Sequence, residues 1–219
     1  MSKPKALIIG AGPGVGLAVA RRFGRGGYTL HLAARRAEEV ARMAAELTAE
    51  GTEAAGHAMD AGDPAAFSMS VAALGPVEVL VYNAAAVTMA APMALTPAQL
   101  TRDVTISVTG ALVAAQAVVP DMLVAGRGTI LLTGGGFALR PMAALASLGI
   151  GKAALRNMAF SLAEELGPKG IRVATVTILG TVAPGTAFDP SGIAEAYWAL
   201  HQDRSGVLGP EFQYKGPAV

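Results

Sequence analysis

Residues 10 to 16 of this 219-residue chain read Gly-Ala-Gly-Pro-Gly-Val-Gly. A short apolar run, Lys5 to Gly10, precedes them, and Gly14 to Phe23 follows with apolar residues at helical spacing. A glycine-rich turn between a strand and a helix is suited to holding phosphate. The turn must be tight, the backbone must approach the ligand, and the helix must pack on the strand; glycine serves each need. The same residues would also make a bare strand–helix turn. The next strand ends in Ala33-Ala34-Arg35-Arg36. In a dinucleotide site, a carboxylate there accepts from the ribose 2′-hydroxyl of NAD, whereas a guanidinium pairs with the 2′-phosphate of NADP. Arg35 and Arg36 therefore favour NADP(H) over NAD(H), unless both simply face solvent at a helix start.

The elements that must position these residues alternate along the chain. Strand-like runs fall at Lys5 to Gly10, Tyr28 to Ala33, Glu53 to Ala58, Val77 to Tyr82, Gly128 to Thr133 and Ile171 to Ile178, with Phe212 to Tyr214 as a last edge strand. Helical runs fall at Gly14 to Phe23, Ala37 to Glu50, from Asp63-Pro64, from Thr96-Pro97, and at Asp103 to Val124, Leu145 to Leu166 and Ile193 to His201. Asp63 before Pro64 is a helix-start signal. Strands and helices in strict alternation predict an α/β, Rossmann-type, doubly wound parallel sheet with helices on both faces. The whole of 1–219 reads as one domain, 5–135 its nucleotide-binding half and 136–219 its catalytic and substrate half.

Composition excludes several classes. A net charge of +1 gives no bulk attraction for nucleic acid. There is no cysteine, hence no disulfide, thiolate nucleophile or cysteine metal site. His31, His57 and His201 lack metal-ligand spacing, so no metal is expected. The N-terminal residues lead straight into a strand, and the longest uncharged run, Val79 to Thr101, is broken by Asn83, Pro92 and Pro97. These features read as a soluble cytoplasmic protein without a signal peptide or membrane helix.

Glycines at 10, 14 and 16 give G-x-x-x-G-x-G, a form that resembles the short-chain dehydrogenase/reductase family. Tyr82-Asn83-Ala84-Ala85 is similar to that family's N-N-A-G motif, and Asp60 matches its adenine-contacting aspartate. Lys152, followed by Ala153-Ala154-Leu155, matches the lysine of Y-x-x-x-K, and Ser161 to Val173 matches the end of that helix and the next strand. The resemblance runs from about residue 5 to residue 180. It implies a nicotinamide dinucleotide held by Gly10, Pro13, Gly14, Val15, Gly16, Arg35, Arg36, Asp60, Ala61, Asn83, Ala84 and Lys152. It also implies a homo-oligomer, dimer or tetramer, built on the two long helices, whose alanines permit close packing.

By the same resemblance, a tyrosine donates the proton, a lysine tunes it and binds the nicotinamide ribose, a serine orients the substrate oxygen, and an asparagine supports a water relay. Of these four positions only Lys152 is kept. Leu148 stands where tyrosine belongs, Gly135 (or Gly134, one residue away) where serine belongs, and Ser107 where asparagine belongs. The nearest hydroxyls, Thr133 and Ser147, are poor acids. Lys152 itself could donate a proton if desolvated, or could only hold the ribose. Ile178-Leu179-Gly180 replaces the usual Pro-Gly, and only Thr181 to Pro190 precede the last helix, so the substrate lid is short. Tyr197 and Trp198 read as packing residues. Two functions follow. One is an oxidoreductase passing hydride to an unidentified small carbonyl, quinone or activated alkene, since an electrophilic acceptor needs chiefly positioning. The other is an NADPH-binding pseudoenzyme, acting as a redox sensor or inactive partner subunit.

Overall fold

The computed structural model describes residues 3–203 and 205–216. Its seven strands are β1 (Lys5–Ile9), β2 (Thr29–Ala34), β3 (Ala54–Ala58), β4 (Val79–Tyr82), β5 (Gly128–Thr133), β6 (Ile171–Ile178) and β7 (Glu211–Tyr214). They form one sheet in the order β3-β2-β1-β4-β5-β6-β7, with every pairing parallel. The chain winds outward from β1 to β3, then returns to place β4 on the other side of β1. Between β1 and β4 the winding reverses, and a crevice opens at the carboxyl ends of the strands.

Both faces of the sheet are covered, and strand residues alternate between two cores. Ile8, Leu30, Leu32, Val81, Leu131 and Val176 point to one side. There they meet Phe23 of α1 (Val15–Arg25), Met43 and Leu47 of α2 (Ala37–Ala49) and Tyr197 of α7 (Pro190–Gln202). Leu7, Leu80, Tyr82, Ile130 and Leu132 point to the other side. They meet Phe67 of α3 (Pro64–Ala72), Val118 and Met122 of α5 (Gly110–Ala125) and Leu155 of α6 (Ala146–Leu166).

Side-chain caps set several helix starts. The Asp63 carboxylate accepts from the Ala66 amide at 3.1 Å ahead of Pro64. Thr96 and Gln99 form a reciprocal capping box that opens α4 (Pro97–Val104). Asp189 accepts from the Ser191 amide at 2.8 Å, so the last helix begins at Pro190, three residues before the apolar spacing predicts. β2 starts one residue later than expected; Tyr28 turns its hydroxyl to Glu78 and His201, each at 2.8 Å.

The largest departure is the long helix expected over Asp103 to Val124. The structure has α4, then a π turn over Thr105–Thr109, then α5. A π turn widens the coil and exposes a carbonyl to outside donors. The Tyr82 hydroxyl donates to the Ile106 carbonyl, and Ser107 Oγ accepts from the Ala86 amide at 3.1 Å. No local spacing encodes these long-range bonds. The continuous Pro97–Ala125 helical run is long and apolar enough, by length and composition, to cross a membrane. Here Ala111, Ala114, Val118 and Met122 are buried against the sheet, while Leu112 on α5, and Ile150 and Phe160 on α6, lie at the surface.

Gly110 sits where α5 crosses the Tyr82 ring. A β-carbon there would fall 2.3 Å from the Tyr82 hydroxyl and 2.9 Å from the Ala61 β-carbon. Gly110→Ala should cost about 1–3 kcal/mol by overpacking. Tyr82→Phe should be less damaging in that background than alone, because it removes the colliding oxygen. Urea unfolding of the two single variants and the double variant measures the coupling, and strict additivity would refute the contact.

Candidate functional site

The crevice between β1 and β4 is a cleft of about 750 Å3. Gly10, Pro13, Arg35, Arg36, Asp60, Ala61, Asn83 and Ala84 all line it. Gly10 has φ +80°, and a β-carbon there would lie 2.3 Å from the Ala84 amide nitrogen. Only glycine permits both that backbone and that approach. Asn83 Nδ2 donates to the Gly10 carbonyl at 2.9 Å and ties β4 to the turn. Gly14, Val15 and Gly16 do not line the cleft. Gly14 is the N-cap of α1, and the other two are buried in its first turn.

The α1 N-terminus is bare. No side chain caps it and its first turn carries no acidic residue. A β-carbon on Gly14 would meet nothing within 4 Å, so open space lies over the helix start. Backbone amides that lack intrahelical partners at a positive helix end suit an anion of pyrophosphate kind. The residues present therefore fit a dinucleotide. Beside the cleft, Arg36 is the N-cap of α2 and pairs with Glu39. Arg35 is exposed and has no side-chain partner among the described residues, leaving its guanidinium available. Asp60 Oδ1 accepts from the Gly62 amide at 2.8 Å, which shapes the turn after β3. Ala11 and Ile106 also line the cleft, without any signal in their own residue types.

Lys152 is not on this cleft. It is buried in α6, and its Nζ donates to the Thr133 carbonyl at 2.6 Å, at the end of β5. Burial pushes its ammonium down to about 8 from 10.5. A β-carbon on Gly135 would lie 3.6 Å from Lys152 Cγ, an ordinary contact. A β-carbon on Gly151 would come 3.3 Å from Ser107 Cβ. Lys152, Gly135 and Ser107 are thus gathered in one place, and half-buried Leu148 lies one helical turn before Lys152.

Both nearby hydroxyls are engaged. Ser147 Oγ donates to Asp103 Oδ2 at 2.7 Å, and Thr133 Oγ1 is 2.7 Å from the Tyr197 hydroxyl. Sequence reading missed Asp103, whose side chain is fully buried at the end of α4. Burial alone would push this carboxyl up, but hydrogen bonds from Ser147, Thr88 and Arg102 outweigh it and hold the group below the ordinary range. Its one sequence signal is a charge opening an otherwise apolar helical run. Tyr197, read as packing, is fully buried as expected and also braces the end of β5; burial raises its phenol, with the Thr133 bond opposing. Trp198 packs edge-on to Phe23 and under the Arg22 guanidinium at 4.1 Å.

The pattern of the short chain dehydrogenase family matches residues 4–189. The chain belongs to the short chain dehydrogenase family. It is 32% identical over 177 residues to dehydrogenase/reductase SDR family member 4 of Sus scrofa, covering 77% of this chain and 62% of that one. It is 34% identical over 178 residues to a very-long-chain 3-oxoacyl-CoA reductase of Aspergillus clavatus, covering 78% and 52%. The chain therefore spans between half and two thirds of the length of these relatives. Solved structures match it nearly end to end. A metagenomic short-chain oxidoreductase in complex with NADP superposes with a TM-score of 0.89 at 27% identity, over 99% of both chains. A short-chain dehydrogenase from Rhodopseudomonas palustris gives 0.88 at 27% identity, over 99% and 100%.

A buried lysine with a depressed pKa makes stability depend on pH in a defined direction. The folded chain releases the Lys152 proton near pH 8, the unfolded chain near 10.5. Between these values the unfolded state binds more protons, so stability rises with pH. Relative to Lys152→Met, the wild type should gain about 1.4 kcal/mol per pH unit across that window and nothing below it. Chemical denaturation of both proteins from pH 7 to pH 10.5 gives the difference; a flat difference would show that Lys152 titrates normally.

Proposed function

We propose that this chain is an NADP(H)-binding short-chain oxidoreductase that passes hydride to an electrophilic acceptor without a tyrosine acid. The uncapped α1 N-terminus opening beside an unpaired Arg35 carries this reading. Backbone amides at Gly14 to Gly16 would hold the pyrophosphate. Arg35 would take the 2′-phosphate bidentately, and Arg36, tied to Glu39, would add positive field. Asp60 and Ala61 would bound the adenine end, and Asn83 and Ala84 the floor. Lys152 would direct its remaining N–H donors at the nicotinamide ribose. When bound, the dinucleotide supplies the hydride.

The protein's own contribution at the reacting end is positioning. Leu148 and Gly135 offer no polar side chain to a substrate oxygen, and the Ser107 hydroxyl, which accepts from the Ala86 amide, is a poor acid. Ser147 and Thr133 have hydroxyls, but both are engaged with Asp103 and Tyr197. The proton that must follow the hydride would come from Lys152 or water. That suits a quinone or activated alkene, whose reduced form needs less help than an alkoxide. A second reading, an NADPH-binding pseudoenzyme, draws on the same three residues and differs only in lacking turnover.

Fluorescence titration with NADPH and NADH tests the cofactor. NADPH should bind more tightly than NADH, and Arg35→Asp should weaken NADPH about tenfold to a hundredfold, the loss of one charge-assisted bidentate pair. Equal affinities unaffected by the substitution would remove the NADP preference. For the chemistry, Leu148→Tyr with Gly135→Ser should raise ketone reduction about 10²- to 10⁴-fold, the contribution of a general acid. NADPH oxidation by a naphthoquinone in the unmodified protein favours the first reading. Binding with no oxidation of NADPH by quinones, enones or ketones favours the second.

A further inference from the structure

The edge strand β3 reads Ala-Ala-Gly-His-Ala. Only one of its side chains is larger than a methyl group. That side chain, His57, stacks on His31 of β2, with ring centroids 5.1 Å apart and planes inclined 21°. His57 Nε2 and His31 Nδ1 are 2.9 Å apart, within hydrogen-bond range. His31 lies opposite Ala55 and His57 opposite Ala33, so the two rings are diagonal neighbours on one face. Beside the backbone ladder, the packing of α2 and the seat of Gly56 against Val40, this pair joins β3 to β2 through side chains.

The proton in this pair can be placed. His31 Nε2 is buried and has no hydrogen-bond partner. A bare ring nitrogen tolerates that, whereas an N–H there would be a stranded donor. His31 therefore carries its proton on Nδ1 and donates to His57 Nε2. One further proton cannot be accommodated. On His57 Nε2 it sets two donors against each other; if His31 shifts tautomer to accept it, the displaced proton lands on the buried Nε2. Either way an N–H is left without an acceptor.

We propose that the His31–His57 pair is an acid-sensitive latch that fastens edge strand β3, and with it the Asp60–Ala61 wall of the cleft, to the rest of the sheet. β3 leads within three residues to Asp60 and Ala61, and β2 leads to Arg35. Acid release of β3 would therefore loosen one side of the cleft; that consequence, unlike the latch itself, rests on the cofactor reading above.

The surroundings reinforce the neutral state. Burial, then His57 and the Lys5 ammonium on β1, lower the His31 pKa, with Glu53 opposing; burial lowers that of His57. Glu53 precedes β3 and accepts from Thr29 Oγ1 at 3.1 Å. α3, whose Phe67 and Val71 join the core on that side of the sheet, carries no titratable side chain. With folded values below 6.5, the unfolded strand binds more protons in acid. The latch is thus fully closed above pH 6.5 and lost as pH falls below it.

Hydrogen exchange of residues 54–58, corrected for intrinsic rates, tests this in the full chain at pH 7.5, 6.5 and 5.5. Protection of β3 should fall by less than about twofold from 7.5 to 6.5 and then up to about tenfold more by 5.5 for each proton taken up, while β4 and β5 stay unchanged. His57→Gln keeps an acceptor near the Nε2 position and removes one titrating ring, so its β3 protection should fall less in acid than the wild type's, by no more than the share of His31 alone. Should that variant fail to fold, imidazole nitrogen shifts in the wild type serve instead: Nδ1-protonated His31 supports the latch and Nε2-protonated His31 overturns it. NADPH affinity is measured in parallel. Acid loss of β3 protection without NADPH binding at any pH would keep the latch and reject the cofactor reading. NADPH binding with pH-independent β3 protection would do the reverse.

Discussion

The approach of the β1–α1 turn to the end of β4 is the contact on which the cleft depends. Gly10 lies so close to Ala84 that no side chain could intervene, and its φ of +80° turns the chain into α1. That turn lifts the first amides of α1 clear of the sheet. Asn83 then clamps the turn from the other strand through the Gly10 carbonyl. Without this close approach the switch in winding between β1 and β4 would leave a gap of no particular chemistry. With it, a helix end without a cap starts just past Pro13, at the edge of a cleft whose outer wall carries an unpaired arginine.

The other long-range bonds stabilise positions around that cleft. Tyr82 holds the π turn, and the π turn brings Ser107 to the Ala86 amide. Asp103 joins α4 to the first turn of α6 through Ser147. Tyr197 reaches from α7 to Thr133, whose carbonyl receives Lys152 from the opposite face of the sheet. The polar groups at this end of the fold are thus largely satisfied by one another. A buried lysine held by one carbonyl is the exception. It is costly to the isolated chain and useful only if something else completes its hydrogen bonds, which is why Lys152 draws attention as a functional residue.

The two ends of the site differ in kind. At the nucleotide end, turn geometry and charge suit a phosphate-bearing ligand. Around Lys152, Leu148 and Gly135 bring no polar side chain, and the Ser107 hydroxyl is held by the Ala86 amide. On the function proposed above, the site keeps the means to bind and orient more fully than the means to move a proton.

The sequence by itself determined the fold class, because strand and helix periodicity is local and strict alternation admits few topologies. It also located the glycine turn, Arg35 and Arg36, Asp60 and Asn83, since each sits at the end of a strand whose neighbour is implied by the winding. Only the tertiary structure decided which arginine is unpaired, that α4 and α5 are separated by a π turn, and that Asp103 and Tyr197 engage the Ser147 and Thr133 hydroxyls. It alone brought His31 and His57 together from strands 26 residues apart in the chain. These outcomes depend on contacts between residues remote in sequence, where burial and the number of available partners, rather than residue type or spacing, set the energy.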